Sequence, residues 1–197
     1  MKNRNCANRG KTFESFLTFA NMAYRHEGTA IIEKQYVEML PIRNSMGKIV
    51  SCKVGEKSTV DYLGRFKKYP FCMEAKHTEN DSIRYHAVAD HQARFLADFM
   101  AKDDGISIVL VSFDLRRYFA IPAPFWNAAR DAWTTARKKG KRKAEKLTIT
   151  HNGQTWTTNG MASVRPEELL PEWECFTHNR YGLDYLKTVE KYIPTQP

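Results

Sequence analysis

The sequence has few cysteines and no long apolar run. Its four cysteines, Cys6, Cys52, Cys72 and Cys175, lie far apart, without a CxxC pair or a Cys/His spacing of the zinc-finger kind. They read as reduced thiols, and no structural zinc is expected. The longest apolar stretch is about half of what spans a bilayer. The N-terminal MKNRNCANRGK has no apolar core before a cleavage site. A cytoplasmic protein with no membrane partner is therefore expected. No repeat, Gly/Ser linker or low-complexity tract divides the 197 residues, and this length predicts one domain over 1–197. What is present suits a packed core: 42% hydrophobic and 12% aromatic residues exclude wholesale disorder.

Acidic residues are the scarcer charge. Lys and Arg number 31 against 22 Asp and Glu, a net +9 that favours a polyanionic partner such as nucleic acid or an acidic membrane surface. Much of the excess sits in one segment, Arg137 to Lys146, and without it the balance falls to 24 against 21. A short basic run of this kind is either a solvated loop or a phosphate-binding element.

Periodicity places the elements. Phe13, Phe16, Leu17, Ala20, Ala23 and Tyr24 recur at three and four, which predicts a helix from Lys11 to about Glu27, stopped by Gly28. Thr29 to Lys34 reads as a strand, and Gln35 to Lys57 as a hairpin or projecting arm. Ser58 to Phe66 and Phe71 to Lys76 read as two strands close enough to pair antiparallel. Val88 to about Lys102 is a helix whose apolar stripe contains one amide, Gln92. Ile106 to Phe113 is a β-branched run suited to a strand covered on both faces, with Arg117 to Ile121 beside it. Pro122 to Lys138 reads as a helix, Leu147 to Thr158 as a hairpin turning at Asn152-Gly153, and Gly182 to Tyr192 as a short helix. This order predicts an α/β domain with a mixed sheet and helices on its faces.

Alternation on the paired strands brings chemistry together. Glu74, Lys76 and Cys72 share one face, while Phe71, Met73 and Ala75 face a core. Thr59 and Asp61 share a face by the same rule. If the strands pair, Asp61 and Glu74 converge where a hard, oxygen-loving cation such as Mg²⁺ could sit, with the Lys76 ammonium beside it. That set suits phosphodiester hydrolysis: the cation acidifies water and neutralises phosphoryl charge, and the ammonium orients water or stabilises the transition state. Taken alone, Asp followed by Glu-x-Lys is equally the pattern of solvated strand side chains. Gln92, on an inner face, must either cap a backbone group or reach a site at the sheet. His91 flanks it, and Glu14 on the first helix either approaches the same site or is an ordinary exposed glutamate.

These residues stand in a familiar order. Asn8-Arg9-Gly10-Lys11-Thr12-Phe13-Glu14, Ser58-Thr59-Val60-Asp61-Tyr62-Leu63-Gly64, Glu74-Ala75-Lys76-His77-Thr78 and His91-Gln92 together closely resemble the RecU family of Holliday junction resolvases, a branch of the PD-(D/E)xK nuclease superfamily. The likeness runs from Asn8 to Phe113, with an echo in Tyr181 to Leu186. It implies a restriction-endonuclease-like fold and a homodimeric, Mg²⁺-dependent endonuclease (Mn²⁺ substituting) that nicks four-way DNA junctions symmetrically in recombination and repair. Carried over by position, the metal ligands are Thr59, Asp61, Glu74 and Gln92, with Lys76 stabilising the transition state. Residues 35–57 correspond to a stalk that enters the junction. Arg9, Arg43, Lys48 and Lys53 are then candidates for phosphate contacts, and Lys138, Lys139, Lys141, Arg142 and Lys143 of the basic run join them. A recombinase or branch-migration helicase is a plausible protein partner. The sequence departs from the family at Gln35 to Glu38, Val60 and Met73, and it matches poorly from Ala123 to Trp173. Another PD-(D/E)xK endonuclease of restriction or mobile-element type, or a non-catalytic branched-DNA-binding module, are the alternatives.

Overall fold

The computed structural model describes residues 3–55, 58–101, 105–178 and 180–193. The expected ends of the arm at Lys57 and of the second helix at Lys102 lie outside these residues, as does the side chain of Cys6. The first half of the chain forms α1 (Asn3–His26), β1 (Ala30–Lys34), β2 (Met39–Arg43), β3 (Ile49–Val54), β4 (Tyr62–Phe66), β5 (Tyr69–Thr78), β6 (Ile83–Arg84) and α2 (Asp90–Met100). Then follow β7 (Ile106–Phe113), β8 (Arg117–Pro122), α3 (Ala123–Lys138), β9 (Thr148–His151), β10 (Gln154–Thr157), β11 (Ser163–Val164), β12 (Phe176–His178), β13 (Gly182–Asp184) and α4 (Tyr185–Val189).

Five strands build the main sheet in the order β1-β4-β5-β7-β8. The β5–β7 pair is parallel, and the other neighbours are antiparallel. The expected mixed α/β sheet is therefore what forms. Its centre is dry: Ile108, Val109, Leu110 and Val111 of β7 are fully buried, as a strand covered on both faces requires. On one side α1 packs its stripe of Phe13, Leu17, Ala20 and Tyr24 towards β1 and β5, each large apolar side chain contributing about 1.5–3 kcal/mol by leaving water. On the other side α2 and α3 pack against β5, β7 and β8 and against each other. Gly64 allows β1 and β4 to close, since a Cβ there would lie 2.0 Å from the Ile31 carbonyl oxygen.

Several boundaries differ from the periodic reading. Residues 59–61 form a bend, so β4 starts at Tyr62, and β5 runs on to Thr78 because β7 continues to pair with it. The expected helix from Gly182 is shorter: residues Gly182–Asp184 pair with β12, and the Asp184 carboxylate then accepts from the Lys187 N–H to start α4 at Tyr185. The turn at Asn152-Gly153 forms as expected, with both residues at positive φ. Residues 35–55 hold the β2–β3 hairpin, whose strands are exposed along their whole length. Cys52, Cys72 and Cys175 are free thiols. Among the described residues, no helix is long and apolar enough to cross a membrane.

Candidate active site

The site is built where the β4–β5 pairing runs past the end of β4. Tyr62 pairs with Met73, so the preceding residue, Asp61, meets Glu74. Each acid accepts from a backbone N–H at or next to the other. Ala75 N–H donates to Asp61 Oδ2 at 2.9 Å, and Asp61 N–H donates to Glu74 Oε2 at 3.2 Å. The other Glu74 oxygen, Oε1, accepts from Gln92 Nε2 at 2.6 Å and lies 2.5 Å from Lys76 Nζ. The four side chains singled out by strand alternation and by the amide in the α2 stripe are thus in contact.

Burial sets the electrostatics. The Glu74 side chain is 0% exposed, whereas that of Lys76 is 23% exposed, so anything from solvent reaches the pair from the Lys76 and Asp61 side. Removal from water, and then the Asp61 carboxylate, push the Glu74 carboxyl up to about 7, against the pull of Lys76. The Asp61 carboxylate held this close disfavours ionisation of Glu74, and Lys76 offsets that only in part. The oxygen donors are the two carboxylates, with no thiolate or imidazole beside them, which fits a hard divalent cation that keeps several waters. The Gln92 amide presents its nitrogen, not its oxygen, to Glu74, so the ligand role the resemblance implied for it is not the arrangement found. Among the described residues, no group of three or more His, Cys, Asp or Glu side chains comes together, so water and backbone oxygens would complete the shell.

Gln92 does both things an inner-face amide can do. Its Oε1 accepts from the Ala89 N–H at 3.0 Å, capping the start of α2, while its nitrogen faces Glu74. Thr59 lies exposed in the bend before Asp61. His91 is exposed on α2. Glu14 does not join the acids. It accepts from Lys34 Nζ at 2.7 Å, and Lys34 pairs with Tyr62, which shares the Met73 face of the sheet, opposite Glu74. Burial and the nearby Glu14 carboxylate accordingly push the Tyr62 phenol up. The helix crosses the other side of the sheet, which the periodicity of α1 alone does not reveal.

The basic candidates are dispersed. Arg9 is paired with Glu79 and Asp114 near the β7–β8 turn. Arg43 donates to the Gly47 carbonyl at 2.8 Å within the tip of the hairpin, on which Lys48 and Lys53 are exposed. Lys138 and Lys139 end α3, Lys141 Nζ lies 3.4 Å from Glu145, and Arg142 and Lys143 are exposed. The loop is tied down at its far end, where Ala144 N–H donates to the Gly160 carbonyl at 2.8 Å.

Sequence reasoning missed Arg130, a buried guanidinium on α3 that holds the start of α2. The signal available was a charge in register with Trp126, i to i+4, on a helix face otherwise made of Ala and aromatic residues.

The chain is similar to a family of recombination proteins. The family model described as "Recombination protein U" matches residues 8–170, well past Phe113, so the stretch from Ala123 that seemed foreign to the family falls within it almost entirely. The "Holliday junction resolvase RecU" of Lactobacillus acidophilus is 32% identical over 202 residues, covering 98% of this chain and 82% of that protein. The proteins of the same description from Streptococcus thermophilus and Streptococcus mutans are 34% and 33% identical, over 59% and 62% of this chain. These two matches span 62% and 65% of the streptococcal proteins, less than two thirds of their length. By the span of the family match and by the near-complete alignment with the lactobacillar protein, the chain belongs to the RecU family.

Proposed function

We propose that this chain is a Mg²⁺-dependent, structure-selective DNA endonuclease that resolves four-way junctions by paired symmetrical nicks, working as a homodimer. The observation that carries the reading is the contact set itself: Glu74, fully buried and raised to about 7, against Asp61, Lys76 and Gln92. A twofold dimer would present two such sites to two symmetry-related strands. Family membership supports the substrate, since the similar proteins are described as Holliday junction resolvases.

In this reading Asp61 and Glu74 hold the cation, which supplies charge neutralisation at the scissile phosphate and acidifies water. The Lys76 ammonium, partly exposed beside Glu74, donates towards the attacking water or the developing phosphoryl charge. Gln92 holds the Glu74 carboxylate from behind through its Nε2. The bend at Thr59 carries Asp61 to the edge of β4, where a phosphate can approach. The exposed hairpin of residues 39–54, with Arg43, Lys48 and Lys53, and the basic loop after α3 serve as phosphate-binding surfaces.

The deciding experiment is cleavage of an immobile four-way junction and a linear duplex of matched sequence with Mg²⁺, alongside Glu74→Ala. Paired symmetrical nicks in the junction alone, lost in the variant, are expected. Cutting of the duplex would keep the nuclease and overturn the substrate, and binding without cutting in Mg²⁺ or Mn²⁺ would favour a non-catalytic module. Neutralising Lys138, Lys139, Lys141, Arg142 and Lys143 should flatten the salt dependence of binding, by about 0.9 in the log–log slope per lost phosphate contact. An unchanged slope would return the loop to a merely solvated one.

A further inference from the structure

One side of α3 is turned into a clamp for the segment that carries Gln92. Trp126 Nε1 donates to the Tyr85 carbonyl at 3.1 Å, Asn127 Nδ2 to the Ala93 carbonyl at 2.9 Å, and Arg130 Nε to the Val88 carbonyl at 3.3 Å. Arg130 also pairs through Nη2 with Asp90, the first residue of α2, and its Nη1 lies 3.4 Å from Asp131. Arg130 thus grips Val88 and Asp90, the two neighbours of Ala89. The Ala89 N–H is the group that holds Gln92 Oε1, and Gln92 Nε2 holds Glu74 Oε1. An unbroken series of hydrogen bonds and one shared backbone turn therefore joins α3 to the buried acid.

The location of this charge needs a reason. Arg130 is only 7% exposed, and burying a guanidinium carries a desolvation cost that a well-packed apolar side chain of similar volume avoids. Asp90, by contrast, is 77% exposed and would be solvated without a partner. Stability alone gives little ground for an ion pair here, whereas a planar fork with fixed donor directions is suited to setting the angle of a backbone turn.

We propose that Arg130 is a positioning residue for the carboxylate pair: by fixing the turn around Ala89 it sets Gln92, and through Gln92 it sets the Glu74 carboxylate and the affinity of the site for a divalent cation. This rests on the metal-site reading above. Arg130 touches neither Asp61 nor Glu74 and acts wholly through Gln92.

The test is direct Mg²⁺ titration by calorimetry on the full chain, with no DNA present, so that turnover plays no part. Arg130→Met and Gln92→Ala should each weaken Mg²⁺ binding by about 10-fold, the lower end of what outer contacts to a ligand cost, and the double variant should be no weaker than Gln92→Ala alone. Arg130→Lys, which keeps the charge without the fork, should recover part of the loss. Phe125→Leu, on the same helix but packed against Trp173, should lower thermal stability and leave Mg²⁺ affinity unchanged. Where Arg130→Met does not fold, Asp90→Asn weakens the same pair from the solvent side and should lower affinity by up to about 10-fold. Unchanged affinity in folded Arg130→Met or in Asp90→Asn, or losses that multiply in the double variant, would overturn the inference alone. Failure of the wild type to bind Mg²⁺ or Mn²⁺, or binding unaffected by Glu74→Ala, would overturn the metal-site reading and the inference with it.

Discussion

The two faces of β5 make opposite use of the same strand. Phe71 and Met73 on one face are fully buried beneath the α1 side, with Phe71 against Tyr185 and His77 further along near Phe13. Cys72 and Glu74 on the other face are equally buried, yet they are polar: the Cys72 thiol meets Ser107 at 3.0 Å, and Glu74 meets Lys76, Gln92 and the Asp61 backbone. The contrast shows that burial by itself does not mark a core. One face is buried because transfer from water stabilises it, and the other holds polar groups that are satisfied by one another rather than by water.

If this division is right, substitutions on the two faces should separate activity from stability. The largest effect falls on the polar face. Glu74→Ala or Asp61→Ala should lower junction cleavage by at least about 10³-fold, roughly 4 kcal/mol of transition-state stabilisation, while junction binding stays near wild type. Loss of binding in both variants would instead make these acids part of the scaffold. Next comes the apolar face: Met73→Ala should cost about 2–5 kcal/mol of unfolding free energy, read from the urea midpoint, with cleavage per folded molecule retained.

A smaller, pH-dependent effect distinguishes the faces without touching the core. Glu74 binds its proton more tightly in the folded chain than in the unfolded one, so it contributes stability in acid that is lost as pH rises from its usual 4.5 through about 7. In EDTA, the thermal midpoint of wild type should therefore fall between pH 5 and 8 relative to Glu74→Gln, and Mg²⁺ should restore more of it at pH 8 than at pH 5. Parallel pH profiles for the two proteins would remove the raised acid from the account. The smallest effect belongs to Glu14. Paired with Lys34 at the surface on the α1 side, Glu14→Gln should change stability by less than about 1 kcal/mol and leave cleavage intact. A large loss of cleavage would put Glu14 back among the acids.

Much of the fold was legible because it rests on local rules. The α1 stripe, the β-branched run of β7, the Asn152-Gly153 turn and the short connection between β4 and β5 each depend on residues a few positions apart. The same rules put Glu74 and Lys76 on one face and Asp61 across from them, since alternation and antiparallel pairing need nothing from the rest of the chain. Element ends were less legible, because pairing with distant strands sets them: β7 extends β5 to Thr78, and β12 converts the expected helical residues 182–184 into a strand.

For the site, the sequence by itself determined which groups are available: two carboxylates, an ammonium and an amide, in an order shared with the RecU family. The tertiary structure alone decided what they become. Packing of α2 on the sheet brings Gln92 to Glu74 and closes the acid off from water, which is what raises its pKa. Packing of α1 on the opposite face sends Glu14 to Lys34 instead. The clamp from Arg130 on α3 to Val88 and Asp90 joins segments some forty residues apart in the chain. Periodicity reports which way a side chain points along its own element, whereas these contacts depend on which elements lie side by side, and no local pattern encodes that.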